Sequence, residues 1–211
     1  MSEPVAVTLT PSLAEVQRVR EVVGAAFATD PMFEWLFHEP AGRADATAAW
    51  IGLFVEAFAL GGTVDVVRGA DGKTVGAALW RLGGDDMPFP AAPSVGGLLV
   101  AVIGPELTMQ RGGALGAFAT NKPEPPFHYL QFLAVHPSAQ GQGLGRVLLG
   151  HGLARAAAAG LPVYLESTNP RNLAFYHSMG GTEIGGFTLQ PEGQGEALPP
   201  GPRAFRLWWP A

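Results

Sequence analysis

The sequence contains no cysteine. That excludes disulfide frameworks, thiolate zinc sites, iron–sulfur ligation and any transfer that parks its cargo on a protein thiol. Charge is scarce. Asp, Glu, Lys and Arg make up 15% of the 211 residues, and 13 basic against 18 acidic side chains leave a net charge of −5. With no basic block to neutralise phosphates, no nucleic-acid partner is expected. Long apolar runs are missing too. The stretch Val95–Ile103 is interrupted by glycine and falls far short of the ~20 residues of a membrane span, so no membrane partner is expected. Residues 1–20 lack the basic start and apolar core of a secretion signal, and a cytoplasmic location is the expectation. His38, His128, His136, His151 and His177 show no paired ligand spacing, so no metal is expected.

Hydrophobic residues make up 47% of the chain. That is enough to bury a core and to exclude wholesale disorder. The length suits a single domain spanning residues 1–211. Val5, Val7 and Leu9 alternate as a short strand. Ser12 and Glu15 then form a capping box for a helix carrying Leu13, Val16, Val19, Val23 and Phe27 at helical spacing. Asp30-Pro31 breaks that helix, and Met32–Phe37 reads as an unusually aromatic connection. A second helix is predicted from about Gly42 to Leu60, then strands at Thr63–Arg68 and Thr74–Arg81 joined by a hairpin. Proline-rich stretches at Gly83–Pro93, Asn121–Pro126 and Pro191–Pro202 read as surface loops, the first as a flap. Val95–Thr120 reads as one or two short helices.

Phe127–Val135 is apolar on both alternating faces except at His128 and Gln131, as in a central strand covered on both sides. A helix at Gly143–Ala159, a strand at Pro162–Ser167, a short helix at Asn172–Met179 and strands at Thr182–Leu189 and Arg203–Trp209 complete the chain. Trp208 and Trp209 end the last strand with one ring in and one out; the outer ring would line a pocket or a subunit interface. The order predicts an α/β fold (α+β, mixed sheet) with one sheet flanked by helices.

The chemistry concentrates in Leu133–Arg146, LAVHPSAQGQGLGR. A central strand ends, and Gln140-Gly141-Gln142-Gly143-Leu144-Gly145 leads into a helix. Glycines keep side chains away from the backbone N–H groups, and the first N–H groups of a helix lack internal partners. Together with the helix dipole this makes an anion site suited to a pyrophosphate. A Walker loop is excluded because Gly145-Arg146-Val147 replaces Gly-Lys-Ser/Thr. A dinucleotide fingerprint is the runner-up: Gly141 and Gly143 fit, Arg146 replaces the third glycine, and Glu166 mimics the ribose-binding acid.

A third pattern fits better. Val135-His136-Pro137 with Gln140–Gly145 resembles the acetyl-CoA loop of the GNAT superfamily of N-acetyltransferases, Gln/Arg-x-x-Gly-x-Gly/Ala. Asn169–Tyr176 followed by Gly180 resembles the same family's Asn-x-x-x-Tyr-x-x-x-Gly-Phe element, with Gly181 where phenylalanine is usual. The resemblance implies a GNAT-like fold with a mostly antiparallel mixed sheet of about seven strands. It implies acetyl-CoA as co-substrate. Backbone of Leu133, Ala134 and Val135 would pair with the pantetheine arm, where the strand bulges and splays from the next. Gln140, Gly141, Gln142, Gly143, Leu144, Gly145 and Arg146 would hold the pyrophosphate, and Asn172 would hydrogen-bond the cofactor. Tyr176 would protonate the departing thiolate.

Some members carry a glutamate where this chain has Tyr129, so the resemblance does not identify the base. Glu166 is the candidate, as base or water anchor, and His128 a weaker one. Asp30 and Glu34, flanking the aromatic residues Phe33, Trp35 and Phe37, would with Tyr129 form a wall attracting a cationic amine. The bland alternatives are a cap for Asp30, a solvated surface residue for Glu34 and a packed ring for Tyr176. The expected activity is acetyl transfer to a primary amine, of a small molecule first, with a protein or peptide amine second. A non-catalytic acyl-CoA sensor and a dinucleotide enzyme are the readings from other classes. Family habit and the aromatic edge point to a homodimer.

Overall fold

The computed structural model describes residues 3–84, 95–124, 126–191 and 198–211. Its strands are β1 (Ala6–Thr8), β2 (Thr63–Arg68), β3 (Thr74–Arg81), β4 (His128–Val135), β5 (Val163–Ser167), β6 (Thr182–Thr188) and β7 (Arg203–Trp209). They form one sheet in the order β1-β2-β3-β4-β5-β7-β6. Every neighbouring pair is antiparallel except β4 and β5. The mixed sheet flanked by helices is the architecture the sequence predicts.

Helices α1 (Leu13–Phe27), α2 (Pro31–Leu36), α3 (Arg43–Gly61) and α4 (Val95–Leu107) precede β4, as does the short α5 (Ala117–Thr120); α6 (Leu144–Ala159) and α7 (Leu173–Ser178) follow it. Ser12 caps α1 by accepting from the Glu15 N–H at 3.3 Å. The reciprocal half of the predicted capping box does not form. The Glu15 carboxylate instead accepts from the Thr74 hydroxyl at 3.0 Å and meets Arg68 at 2.8 Å, tying α1 to the β2–β3 hairpin. The aromatic segment at 32–37 is α2 rather than a connection. Asp30 caps it through the Met32 N–H and Pro31 supplies the fixed φ of a first turn. The segment 95–120 holds α4, kinked at Gly104-Pro105, a wide turn at Thr108–Gly112 and α5. The flap expected beyond Gly83 and part of the last proline-rich loop lie outside the described residues.

The two faces of the sheet carry separate cores. One packs Val19, Val23, Phe33, Trp50, Phe54 and Phe58 from α1–α3 on Val64, Val66, Ala77, Leu79 and Phe132. The other packs Leu144, Leu148 and Leu149 of α6 on Val67, Ala78, Trp80 and Leu130. Leu130 and Phe132 are two residues apart yet belong to opposite cores. The cause is a bulge at Gln131, where the β3–β4 register skips from Leu79↔Phe132 to Trp80↔Leu130. By length and composition α3 could cross a membrane. In this fold its Trp50, Ile51, Phe54, Val55 and Phe58 are core residues.

Gly152 explains how closely α6 lies on the sheet. A Cβ there would stand 2.0 Å from the Trp80 indole. Gly150 has no such contact; its nearest neighbour is Met179 Cε at 4.0 Å. Neither terminal tryptophan stands free at an edge. Trp209 is buried and donates its indole N–H to the Met179 carbonyl at 2.9 Å. Its ring fills the space beside Gly181, where a Cβ would approach within 2.5 Å. Trp208 is half-buried against Phe127 and Tyr164.

Candidate active site

β4 and β5 pair only at His128↔Val163 and Tyr129↔Tyr164 and then part. From Leu130 onward, the β5-facing edge of β4 has no strand partner. Parallel strands that separate above a common start open a slot at their carboxyl ends, where ligands of open sheets bind. Two cavities meet there. One, of about 670 Å³, lies at the N-terminal end of α6 and is bordered by Gln140, Gly141, Gly143, Leu144, Gly145 and Arg146. The other, of about 330 Å³, lies between the helices and the strands and is largely aromatic. Phe27, Asp30, Leu133, Asn172 and Tyr176 border both and mark the junction.

The loop before α6 has the form of an anion cradle. Gly141 and Gly143 adopt φ of 78° and 77°, a conformation glycine enters without the Cβ penalty. Nothing lies within 4 Å of where a Cβ would sit at either position. Among the described residues, the backbone N–H groups of residues 141–145 donate to no protein acceptor. The Arg146 N–H is the first to turn inward, to the Gly143 carbonyl at 2.9 Å. This run of uncommitted donors at the start of a sixteen-residue helix is what a phosphate-bearing ligand requires.

Several side chains have other tasks. Gln140 Nε2 donates to the Val135 carbonyl at 3.1 Å, bracing the loop. Arg146 donates to Ser178 Oγ at 2.6 Å and to Met179 Sδ at 3.2 Å, fastening α6 to the end of α7. Gln142 is exposed and borders neither cavity. Ala134 is buried against the first core, while its neighbours Leu133 and Val135 border the larger cleft. Gly145 has ordinary φ and packs near Phe175.

Asp30 reaches the junction because it caps α2. Its Oδ1 accepts from the Met32 N–H and from Thr168 Oγ1, both at 3.0 Å, and the second bond ties it to the end of β5. Burial raises the Asp30 pKa above the ordinary carboxylate value and outweighs these bonds; Glu34 adds to the rise. Tyr176 is 7% exposed, and burial raises its hydroxyl pKa, with the Asp30 charge adding to the effect. It therefore keeps its proton at neutral pH.

Glu166, one residue before Ser167 on β5, borders the aromatic cavity. Both of its oxygens accept from phenols, Tyr129 at 2.7 Å and Tyr164 at 2.8 Å. Burial raises its pKa, against the opposing pull of those bonds and of Lys122 and Arg81. The Tyr129 hydroxyl is pushed well up, first by burial and then by Glu166. Arg81 lies 4.2 Å above the Tyr129 ring and Lys122 4.9 Å.

The sequence-derived candidates thus divide. Tyr176, Glu166, Asp30, Tyr129, Asn172, Leu133, Val135 and most of the 140–146 loop border the two cavities. Glu34 does not join them; it is half exposed and sits 3.7 Å from Arg43. His128 is buried behind the site, its Nδ1 accepting from the Gly83 N–H at 3.0 Å. Residues that the sequence reading misses include Arg171, which adds positive charge to the larger cleft, and Trp50, Phe54 and Phe118 of the smaller cavity. Arg171 is visible inside the Asn169–Tyr176 block. Trp50 and Phe54 carry only the i, i+4 spacing of core residues, which says nothing of a cavity. Among the described residues no three His, Asp or Glu side chains converge on a possible metal position.

Comparison with known proteins agrees with this fold. The model of the acetyltransferase (GNAT) family matches residues 30–180. A solved structure from Corynebacterium glutamicum ATCC 13032, described as histone acetyltransferase HPA2 and related acetyltransferase, is 27% identical. The match covers 98% of this chain and 96% of that one, with a TM-score of 0.65. A mosquito arylalkylamine N-acetyltransferase like 5b shares the fold at 17% identity, with 97% and 99% covered and a TM-score of 0.58. So does the ribosomal-protein-S18-alanine N-acetyltransferase of Escherichia coli, at 15% identity, 98% and 94% covered and a TM-score of 0.53. The family model spans well over half of the 211 residues, and the chain belongs to the acetyltransferase (GNAT) family.

Proposed function

We propose that the protein is an N-acetyltransferase that moves an acetyl group from acetyl-CoA to a primary amine of a small molecule, by direct attack in a ternary complex. The observation that carries this reading is the set of uncommitted amides at residues 141–145, in a cleft that meets a second, largely aromatic cavity at Tyr176. The larger cleft has the donors for a diphosphate in the 140–146 loop, with Arg171 adding charge. The unpaired edge of β4 near Leu133 and Val135 offers backbone groups to an extended arm. The bound co-substrate supplies an activated acyl carbon and a thiolate leaving group.

The chain's own residues do the rest. The walls of the smaller cavity exclude water and hold the amine against the junction. A backbone N–H of β4 facing the slot stabilises the oxyanion formed on attack. The amine proton passes to a buried carboxylate, for which Glu166 and Asp30 are the groups bordering the cavity. Tyr176, held neutral, gives its proton to the leaving sulfur. With no cysteine in the chain, the acyl group passes directly from thioester to amine.

Titration calorimetry with acetyl-CoA and with NADPH tests the cofactor assignment. Binding of acetyl-CoA alone is expected, and binding of NADPH alone would overturn it. Thiol release measured over a panel of amines tests the reaction; saturable acetyl-CoA binding with no thiol release from any amine would make the protein a sensor instead.

A further inference from the structure

The smaller cavity carries a statement about its ligand. Its walls are rings and aliphatic chains: Phe27, Trp50, Phe54, Phe118 and Phe132, with Met32 and Leu115 between them. Its volume of about 330 Å³ lies at the low end of the ~300–1,000 Å³ of small-molecule sites.

Two carboxylates border it among the described residues, and they are not equivalent. Glu166 has both oxygens engaged by phenols and two cationic side chains, Arg81 and Lys122, acting on it. Asp30 has Oδ1 engaged, while its Oδ2 has no partner among the described residues, and it sits where the two cavities join. Where it meets the larger cleft, the pocket therefore offers one carboxylate oxygen with no partner among the described residues; Gln131, Ser167, Thr168 and Asn172 add uncharged polar groups, and the rest of the wall is largely apolar. A second ammonium would be desolvated with no carboxylate left uncompensated to receive it, and Lys122 would repel it.

We infer that the acceptor is a monoamine on an apolar, ring-sized body, seated with the body among Phe27, Trp50, Phe54 and Phe118 and the amine turned to Asp30, which takes its proton. The inference rests on the acetyl-transfer reading above. The amine nitrogen bonds to the acyl carbon, the carbon–sulfur bond breaks, the ammonium proton leaves to Asp30 and the thiolate takes the proton of Tyr176. The groups that bias Asp30 are Glu34 on its own helix, Tyr176 across the junction, and the Thr168 and Met32 donors.

Thiol release with acetyl-CoA and 2-phenylethylamine, spermidine, kanamycin or a lysine peptide tests the class. The ring amine is expected to exceed the others in kcat/KM by about 100-fold. Phe118→Ala should raise its KM by about 10-fold without changing acetyl-CoA affinity by calorimetry. Asp30→Asn keeps the cap on α2; it should lower kcat by about 100-fold and remove the acid limb of the pH profile. Acetylation of spermidine, kanamycin or peptide in preference to the ring amine would overturn the inference and leave the acetyl-transfer reading standing. An Asp30→Asn enzyme that keeps both rate and acid limb would remove Asp30 from the proton path. Acetyl-CoA binding with no thiol release from any amine would overturn both readings.

Discussion

Tyr129 on β4 donates its hydroxyl to Glu166 on β5 at 2.7 Å, across the point where the two strands part. Backbone pairing between them ends at Tyr129 itself, so this bond fixes the width of the slot at its base. The burial of Glu166, which outweighs this bond, also sets a pH dependence. Burial raises the Glu166 pKa in the folded protein above its unfolded value. The folded state then binds the proton more tightly than the unfolded chain. Its contribution to stability is complete at low pH and is lost as pH rises through the folded pKa. Glu166→Gln has nothing to ionise. We expect the melting temperature of the variant, relative to wild type, to climb as pH rises from the acid range through that raised pKa, and then to level off. Calorimetric melts of both proteins across that range measure it; a difference that is flat or falls with pH would refute this account of Glu166.

Tyr176 borders both cavities with a hydroxyl that burial keeps protonated. Tyr176→Phe preserves the ring and its contacts with Phe175 and Trp209. Turnover is expected to fall by about 100-fold while acetyl-CoA affinity stays constant. Pre-steady-state thiol release paired with calorimetry separates the two. An unchanged turnover would return Tyr176 to a packing role.

Most of this site is legible where chemistry and backbone geometry coincide in a short stretch. The glycines at 141 and 143 need positive φ and face open space, and the sequence marks both demands with the same residue. Asp30 is visible as a cap followed by Pro31, yet the helix it starts reads as a connection because six residues give periodicity little to act on. Its bond to Thr168, which delivers it to the slot, spans 138 residues and leaves no local trace. The family resemblance implies a bulge in this strand, but the residues themselves do not place it; in the structure it falls at Gln131, between Leu130 and Phe132, which pack into opposite cores. The half-formed capping box at Glu15 marks the same limit, since a distant hydroxyl and Arg68 compete for the carboxylate.

The anion cradle can be tested by charge. Gly143 caps α6 with φ of 77°, and no neighbour lies within 4 Å of the place a Cβ would take. Gly143→Asp strains the turn and puts a carboxylate among the free amides, where it competes with a phosphate. Loss of acetyl-CoA binding by calorimetry is expected, with far-ultraviolet circular dichroism unchanged. Normal affinity in a folded variant would move the diphosphate away from this loop.

Two glycines on α6 give opposite expectations from the same substitution. In a helix interior, replacing glycine by alanine restricts the unfolded chain and gains about 0.5–1 kcal/mol when space allows. At Gly150 the nearest atom to a new Cβ is Met179 Cε at 4.0 Å, an ordinary contact, so Gly150→Ala should gain that amount. At Gly152 the new methyl would lie 2.0 Å from Trp80, a fully buried ring clamped between α6 and the sheet. Either the helix lifts from β3 or the indole turns, and overpacking of this kind costs about 1–3 kcal/mol. Gly152→Ala should therefore lower the denaturation midpoint while Gly150→Ala raises it. Because α6 also carries the free amides at its start, a lifted helix should weaken acetyl-CoA binding in Gly152→Ala and leave it intact in Gly150→Ala. Equal stability changes in the two variants would mean that the Trp80 contact does not set the height of α6 above the sheet.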